Sequence, residues 1–133
     1  MALYAGHAEY QHSTVISSTV IESTQVEAAA WLGALADPVR LAVVGVLAGG
    51  QRCVCDLQER IPVAPNLLSY HLRVLREAGL ISSTRRGRWI DYRLDGDGFS
   101  ALWATLADSG MPLPGETVTS EPVGPACEDG TPE

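Results

Sequence analysis

With 133 residues and a formal net charge of −7, the chain can bury one hydrophobic core but is too short for two domains. It has no apolar run near the roughly 20 residues that a membrane-spanning helix needs, and its N-terminus lacks the basic and then apolar pattern of a signal peptide. Three cysteines are an odd and low number, which argues against a secreted disulfide framework. We therefore expect a cytoplasmic protein with no membrane partner, whose thiols serve metal binding or redox chemistry unless they are simply buried.

The negative net charge conceals a cationic middle. Residues 52–94 carry eight arginines against four acidic residues, whereas the segments before and after them are both net negative. A cationic surface in an acidic chain is typical of a protein that meets a polyanion. Every Lys or Arg position holds arginine, whose planar fork binds two acceptors of phosphate or guanine at once. The charge balance alone is also consistent with a solvated surface. The positions of the arginines must therefore show whether they form a binding surface.

The first predicted elements are two helices that follow an N-terminal arm. Residues 1–23 have no clear hydrophobic period and are predicted to be flexible. Residues 24–27 (TQVE) have the pattern of a capping box, which places the start of the first helix at about Gln25. Its apolar residues exceed one buried stripe, which favours packing on two sides, as at a dimer interface. Asp37 and Pro38 are a second start signal, and a pair of glycines ends this helix.

Two helices, a hairpin and a last helix complete the predicted domain over residues 24–109. A short helix covers about 54–61, and a fourth runs over about 65–78. The pattern then alternates around a glycine, which predicts a β-hairpin with three arginines at its tip. A final helix covers about 97–109. Residues 110–133 are rich in Pro, Gly, Glu and Thr, which predicts a disordered acidic tail.

This order of elements is that of a winged helix-turn-helix, a mainly α fold with a small β-hairpin. Leu68, Leu72 and Leu75 recur at helical spacing and are predicted to be buried, which turns the rest of the fourth helix toward solvent. Such a helix reaches base edges and phosphates of double-stranded DNA, and the wing reaches phosphates or the minor groove. The predicted DNA contacts are Asn66, Ser69, Tyr70, His71, Arg73, Arg85, Arg86 and Arg88. For His71, a partly buried histidine that orients the helix is an equally good interpretation.

Four segments resemble, in order and spacing, the ArsR/SmtB family of bacterial metal-sensing repressors: LADPVRLAVVGVLAGG, CVCDL, LLSYHLRVLREAGLI and RRGRWIDYRLD. The resemblance covers about residues 25–108. It implies a homodimer with the first and last helices at its interface. It also implies a repressor that binds an operator of two inverted half-sites and leaves it when an inducer binds.

The resemblance gives the cysteines a context. CVCDL matches a family motif at the start of the third helix, where thiolates bind arsenite and antimonite, or cadmium, lead and zinc in relatives. In the arsenite-sensing pattern a third cysteine follows three residues after the second, but this chain has Gln58 there. The resemblance thus implies arsenite or antimonite as inducer on Cys53 and Cys55, with Cys127 left as the third thiolate. Side chains two residues apart point about 200° apart on a regular helix, so one ion binds both only if the first turn unwinds or Cys53 lies outside it.

Two other interpretations of the cysteines stay open. Zinc or cadmium could be bound by Cys53 and Cys55 with His7 and His12 of the arm in a tetrahedral set, since the arm supplies such ligands in some relatives. Oxidation or persulfide chemistry could instead join Cys53 or Cys55 to Cys127 as a thiol switch. The last helix contains no histidine, so the divalent-metal site that some relatives carry there is predicted to be missing.

Other functional classes have weaker support in the sequence. A thiol enzyme would need an anion-binding loop or a catalytic cysteine in a basic pocket, whereas the glycines here end helices or bend a hairpin. We therefore predict that the chain is not an enzyme. A winged-helix module that binds a protein through its wing stays open, and salt-sensitive binding to a short palindromic duplex would separate it from a repressor.

Overall fold

The computed structural model describes residues 21–119 and contains five helices and three strands over that range. The helices are α1 (Ser23–Leu35), α2 (Pro38–Ala48), α3 (Val54–Arg60), α4 (Pro65–Glu77) and α5 (Gly96–Asp108). The strands are β1 (Arg52–Cys53), β2 (Ile81–Arg86) and β3 (Trp89–Leu94), and β1 lies between α2 and α3 in the chain. The predicted mainly helical fold with a small antiparallel hairpin is confirmed. Residues 1–20, with His7 and His12, and residues 120–133, with Cys127, lie outside the described part of the chain.

Helix α1 begins two residues earlier than the sequence predicted. Its N-cap is Glu22, which forms a reciprocal capping box with Gln25, and the backbone N–H of Glu22 donates to Oε1 of Gln25 at 2.9 Å. The capping box predicted at residues 24–27 is therefore wrong. The Gln25 amide Nε2 also donates to the carbonyl oxygen of Ser109 at 2.8 Å. This contact with the end of α5 fixes the start of α1, and no local pattern could have shown it.

The core forms around one face of α4. Leu68, Leu72 and Leu75 are buried as predicted, and they pack in one cluster with residues of α2, α3 and the start of β2. A second, smaller cluster joins α1 to α5 through Ala28, Leu102 and Leu106. Leu113, beyond α5, packs partly buried against this second cluster. Residues 110–119 contain no helix or strand.

The sheet has three strands in the order β1-β3-β2, all antiparallel. Strands β2 and β3 form the predicted wing, in which Arg86 pairs with Trp89 across a two-residue loop. Gly87 has φ +64 there, as the first position of a type II′ hairpin turn requires. Strand β1 was not predicted, because two residues are too few to show an alternating pattern. Its pairing with β3 places Cys53 directly opposite Asp91.

Among residues 21–119, no single helix has both the length and the apolar composition to cross a membrane; α1 and α2, bent by 83° at their junction, reach those limits only as a pair.

A close backbone contact fixes α5 against the end of α4. The N–H of Asp95 donates to the carbonyl oxygen of Leu80 at 2.9 Å, and the Asp95 carboxylate caps α5 by accepting from the N–H of Gly98 at 3.1 Å. A Cβ atom at Gly98 would overlap the carbonyl oxygen of Gly79. Only glycine therefore fits at this point of α5.

The alanine substitution Gly98→Ala should destabilise the protein. The overlap is with backbone atoms, which cannot rotate away, and overpacking of this kind typically costs about 1–3 kcal/mol. Gly96→Ala is the matched control, because a Cβ there meets nothing within 4 Å. The measurement is chemical denaturation followed by circular dichroism. Equal unfolding free energies for the two variants would contradict the proposed contact.

Candidate nucleic-acid interface and thiol site

One side of α4 is exposed and carries hydrogen-bonding side chains. Asn66, Ser69, Tyr70 and Arg73 are all exposed on it. The guanidinium carbon of Arg73 lies 5.5 Å from the centre of the Tyr70 ring, within the range of a cation–π contact. Four of the five residues predicted on this helix therefore share an open surface. Leu67 is exposed beside them, and no sequence pattern predicted it as a contact.

His71 lies on the other side of α4. Its side chain is buried, with the residue only 5% exposed, and its Nδ1 lies 2.8 Å from Nη1 of Arg40. A guanidinium only donates hydrogen bonds, so Nδ1 accepts and a neutral ring carries its proton on Nε2. Nε2 lies 3.7 Å from Oδ1 of Asp37. The geometry favours the second interpretation of this residue, in which the histidine orients the helix.

Arg40 joins α4 to two other helices. Its Nε donates to the carbonyl oxygen of Ala34 at 2.6 Å, and its Nη2 to that of Gly33 at 3.4 Å. These carbonyls lie in the last turn of α1, while Arg40 itself belongs to the first turn of α2. One side chain thus fixes the junction of α1 and α2 to the middle of α4. No sequence pattern predicts this role, since nothing local distinguishes Arg40 from a solvated arginine.

Asp37 completes this polar cluster. Its carboxylate caps α2, as predicted, by accepting from the N–H groups of Val39 at 2.7 Å and Arg40 at 3.3 Å. Burial raises the pKa of Asp37, but these two hydrogen bonds and the charge of Arg40 outweigh it, and the net pKa is lowered. The carboxylate is therefore ionised at neutral pH beside the His71 ring.

The wing carries the other three predicted DNA contacts, and they differ in environment. Arg85 and Arg88 are exposed near the tip. The Arg86 side chain is 64% exposed, yet its guanidinium is held by Asp91: Nε donates to Oδ2 at 2.8 Å and Nη2 to Oδ1 at 3.1 Å. Hydrogen bonding from Arg86 lowers the pKa of Asp91 against the opposing effect of burial. Arg86 is thus fixed in direction, whereas no such partner holds Arg85 or Arg88 among residues 21–119.

The two described cysteines lie at the start of α3. Cys53 is the N-cap residue with extended backbone, φ −77 and ψ 163, and Cys55 is in the first turn. Both are free thiols, Cys53 half-buried and Cys55 exposed. Because Cys53 lies outside the helix, one of the two conditions under which both thiols could bind one ion is met.

The ligand set is incomplete within the described part of the chain. Across residues 21–119, no three His, Cys, Asp or Glu side chains come together as a metal site. Cys127, His7 and His12 lie outside this range. Two soft thiols with one outside the helix suit a thiophilic ion, and any third or fourth donor has to come from outside residues 21–119 or from a second chain.

The wing, formed by β2 and β3, and the helix pair α3–α4 define a winged helix-turn-helix protein. The family model of the bacterial regulatory proteins of the arsR family matches residues 37–83. The arsenical resistance operon repressor of Bacillus subtilis is 41% identical over 70 residues, which are 52% of this chain and 67% of that one. The chain belongs to the arsR family.

Further relatives agree with this assignment. The HTH-type transcriptional repressor SmtB of Mycobacterium tuberculosis is 46% identical over 63 residues, 47% of each chain. The match thus spans about half the length of that curated relative. A crystal structure described as a possible transcriptional regulator for arsenical resistance has a TM-score of 0.55 at 40% identity, over 60% of this chain and 82% of that one. These relatives are transcriptional regulators and not enzymes, as the sequence predicted.

Replacing Arg40 by methionine should destabilise the protein. Methionine keeps an unbranched apolar stem but lacks the guanidinium and every donor, which leaves the Ala34 carbonyl and the buried His71 ring without this partner and costs about 1–3 kcal/mol. Arg76→Met, at an exposed position on α4, is the matched control. The unfolding free energy from urea titration is the measurement. A loss no greater than that of the control would show that Arg40 does not hold α4.

Proposed function

We propose that the protein is a transcriptional repressor that binds double-stranded operator DNA through α4 and the wing. The observation that carries this proposal is the exposed side of α4, with Asn66, Tyr70 and Arg73, in the same domain as the arginine-rich wing. An Asn amide can pair with adenine in the major groove, and Arg with guanine or phosphate. The names of the relatives as repressors support the same function. A protein with this partner acts in the cytoplasm, where the operator is.

The proposed repressor is a homodimer with α1 and α5 at its interface. Leu32 and Met111 are exposed and line one shallow groove between α1 and the segment after α5. Trp103 on α5 is 50% exposed, and large aromatic side chains are typical of the buried centre of an interface. A second copy would cover this apolar surface and place two α4 helices on two inverted half-sites.

The proposed inducer is arsenite or antimonite, bound by Cys53 and Cys55. Arsenous acid reacts with thiols without redox change: each thiol gives its proton to a departing hydroxide, so three thiols release three water molecules. Cys127 is the proposed third thiolate, from the same chain or from its partner. The support is the position of two free thiols at the helix start, Cys53 half-buried and Cys55 exposed. The names of two similar repressors and of one similar crystal structure also refer to arsenical resistance.

Binding of one ion by both thiols would act on the DNA-reading helix pair. Cys53 precedes α3 and Cys55 lies on it, so drawing the two sulfurs together rotates or unwinds the first turn of a helix of only seven residues. Leu57 of that helix is fully buried in the core with Leu68 of α4. A distortion of α3 would therefore reach α4 through packed side chains.

The substitution Arg73→Ala should weaken operator binding. If Arg73 contacts a base, the binding free energy is weakened by about 1–3 kcal/mol. If it contacts a phosphate, the slope of log affinity against log salt concentration falls in magnitude by about one. Arg60→Ala is the matched control, since Arg60 is exposed on α3 and bonds to Asp56 at 3.0 Å. Fluorescence anisotropy on a labelled palindromic duplex from the upstream region, at several salt concentrations, is the measurement. Absence of salt-sensitive binding by the wild-type chain would contradict the repressor and favour a protein partner.

The inducer can be identified by release of the same duplex. Arsenite, antimonite, cadmium and zinc are titrated separately, and we expect release by arsenite or antimonite that is lost in Cys53→Ser and Cys55→Ser and weakened in Cys127→Ser. Release by cadmium or zinc alone, unaffected by Cys127→Ser and lost when His7 and His12 become alanine, would replace the arsenic site by a divalent one. Release by peroxide alone would identify a thiol switch.

A further inference from the structure

Asp91 connects the thiol site to the wing. Strand pairing sets it directly opposite Cys53 on β1, and directly opposed residues of an antiparallel pair project from the same face of the sheet with Cβ atoms about 4.5–5.5 Å apart. On that face the Asp91 carboxylate holds the Arg86 guanidinium by two hydrogen bonds. The residue is only 6% exposed. The buried Asp91 carboxylate thus lies between Cys53, which is proposed to bind the inducer, and Arg86 of the wing.

Among the described residues, Asp91 contacts one cation and one side-chain amide. The hydrogen bonds and charge of Asp91 raise the pKa of Arg86 against the opposing effect of burial. The amide Nε2 of Gln51 lies 3.4 Å from Oδ2 of Asp91. Among the described residues, Arg86 is the one cation paired with Asp91. Losing that partner would leave a buried carboxylate uncompensated, which is costly.

We infer that the Arg86–Asp91 pair transmits the state of the Cys53 thiol to the wing, with Asp91 as the positioning residue. With free thiols, Asp91 fixes the direction in which Arg86 leaves the sheet. A ligand on Cys53 needs space on the face that the carboxylate, the guanidinium and the Gln51 amide already fill. Strand β1 has two residues and few hydrogen bonds to resist displacement. The ligand would separate β1 from β3 and break the Arg86–Asp91 ion pair. Arg86 would then no longer be held in one direction.

This inference rests on the proposed function, but it adds a second route to the one through α3. Distortion of α3 acts on the recognition helix, whereas the Asp91 route acts on the wing. The two routes make different predictions, because a substitution at Asp91 leaves the thiols and the packing of α3 in place.

The first arm of the test compares arsenite release in the full-length wild-type chain and Asp91→Asn. The asparagine is the same size but cannot hold the guanidinium by two charged hydrogen bonds. The release factor is the operator affinity without arsenite divided by the operator affinity with arsenite. Coupling factors between sites are typically about 5–150-fold. We expect the release factor of Asp91→Asn to be lower than that of the wild type by about 5-fold or more. Arg88→Ala is the control: it loses a wing charge and operator affinity but keeps the wild-type release factor. An unchanged release factor in Asp91→Asn would overturn the inference.

The second arm needs no operator and no change at Asp91, so it stands if Asp91→Asn fails to fold. The Arg86 Nε–H resonance is followed by NMR in the Cys55→Ser, Cys127→Ser chain. Methyl methanethiosulfonate then converts the Cys53 thiol to a methyl disulfide, with methanesulfinate as the leaving group. We expect the Arg86 resonance to shift or exchange faster, while that of Arg40, bonded to Ala34, stays unchanged. An Arg86 resonance that does not respond would overturn the inference.

The two arms separate failure of this inference from failure of the proposed function. If no arsenite, antimonite or metal releases the operator and the Arg86 resonance still responds to modification of Cys53, the link exists and the inducer is wrong. If arsenite releases the operator with the Arg86 resonance unmoved, the inducer is right and the link through Asp91 is wrong.

Discussion

Burial of one face of α4 is the constraint on which the rest of the structure depends. Leu68, Leu72 and Leu75 fill the core, each contributing about 1.5–3 kcal/mol relative to exposure. Apolar burial is non-directional, and by itself it leaves the helix free to rotate by small angles. The hydrogen bond between His71 and Arg40 is directional, and Arg40 is itself fixed by carbonyls of α1. Together these contacts determine which side chains α4 exposes.

The two thiols lie where the sheet joins the helix pair α3–α4. Cys53 belongs to the sheet through β1 and immediately precedes α3, so it is the point where the wing and the helix-turn-helix meet in the chain. A ligand there would act on both parts of the proposed DNA interface at once. Both cysteines lie outside the main cluster of buried residues, which a ligand would reach through Leu57 of α3. Release of DNA would thus require a local rearrangement and no unfolding.

The sequence predicted the helices and the wing well because their signals are local. Periodic leucines marked α4, Asp37 and Pro38 marked α2, and Gly87 marked the turn. What it missed depends on contacts between distant segments. The start of α1 is set partly by Ser109, β1 exists only through its pairing with β3, and the hydrogen-bond partner of His71 is Arg40, 31 residues earlier. No sequence pattern predicted Asp91 as the partner of Arg86. The ligand set stays a proposal because its other proposed donors lie outside residues 21–119.

The most direct test of the account is hydrogen exchange by mass spectrometry on the full-length protein, alone, with operator duplex, and with duplex plus arsenite. Operator binding should slow exchange in the peptides that cover residues 64–73 and 84–90. Arsenite should reverse both effects and speed exchange over residues 51–56, where β1 leaves the sheet. Protection by the operator elsewhere on the chain, or release of the operator with exchange over 51–56 unchanged, would contradict it.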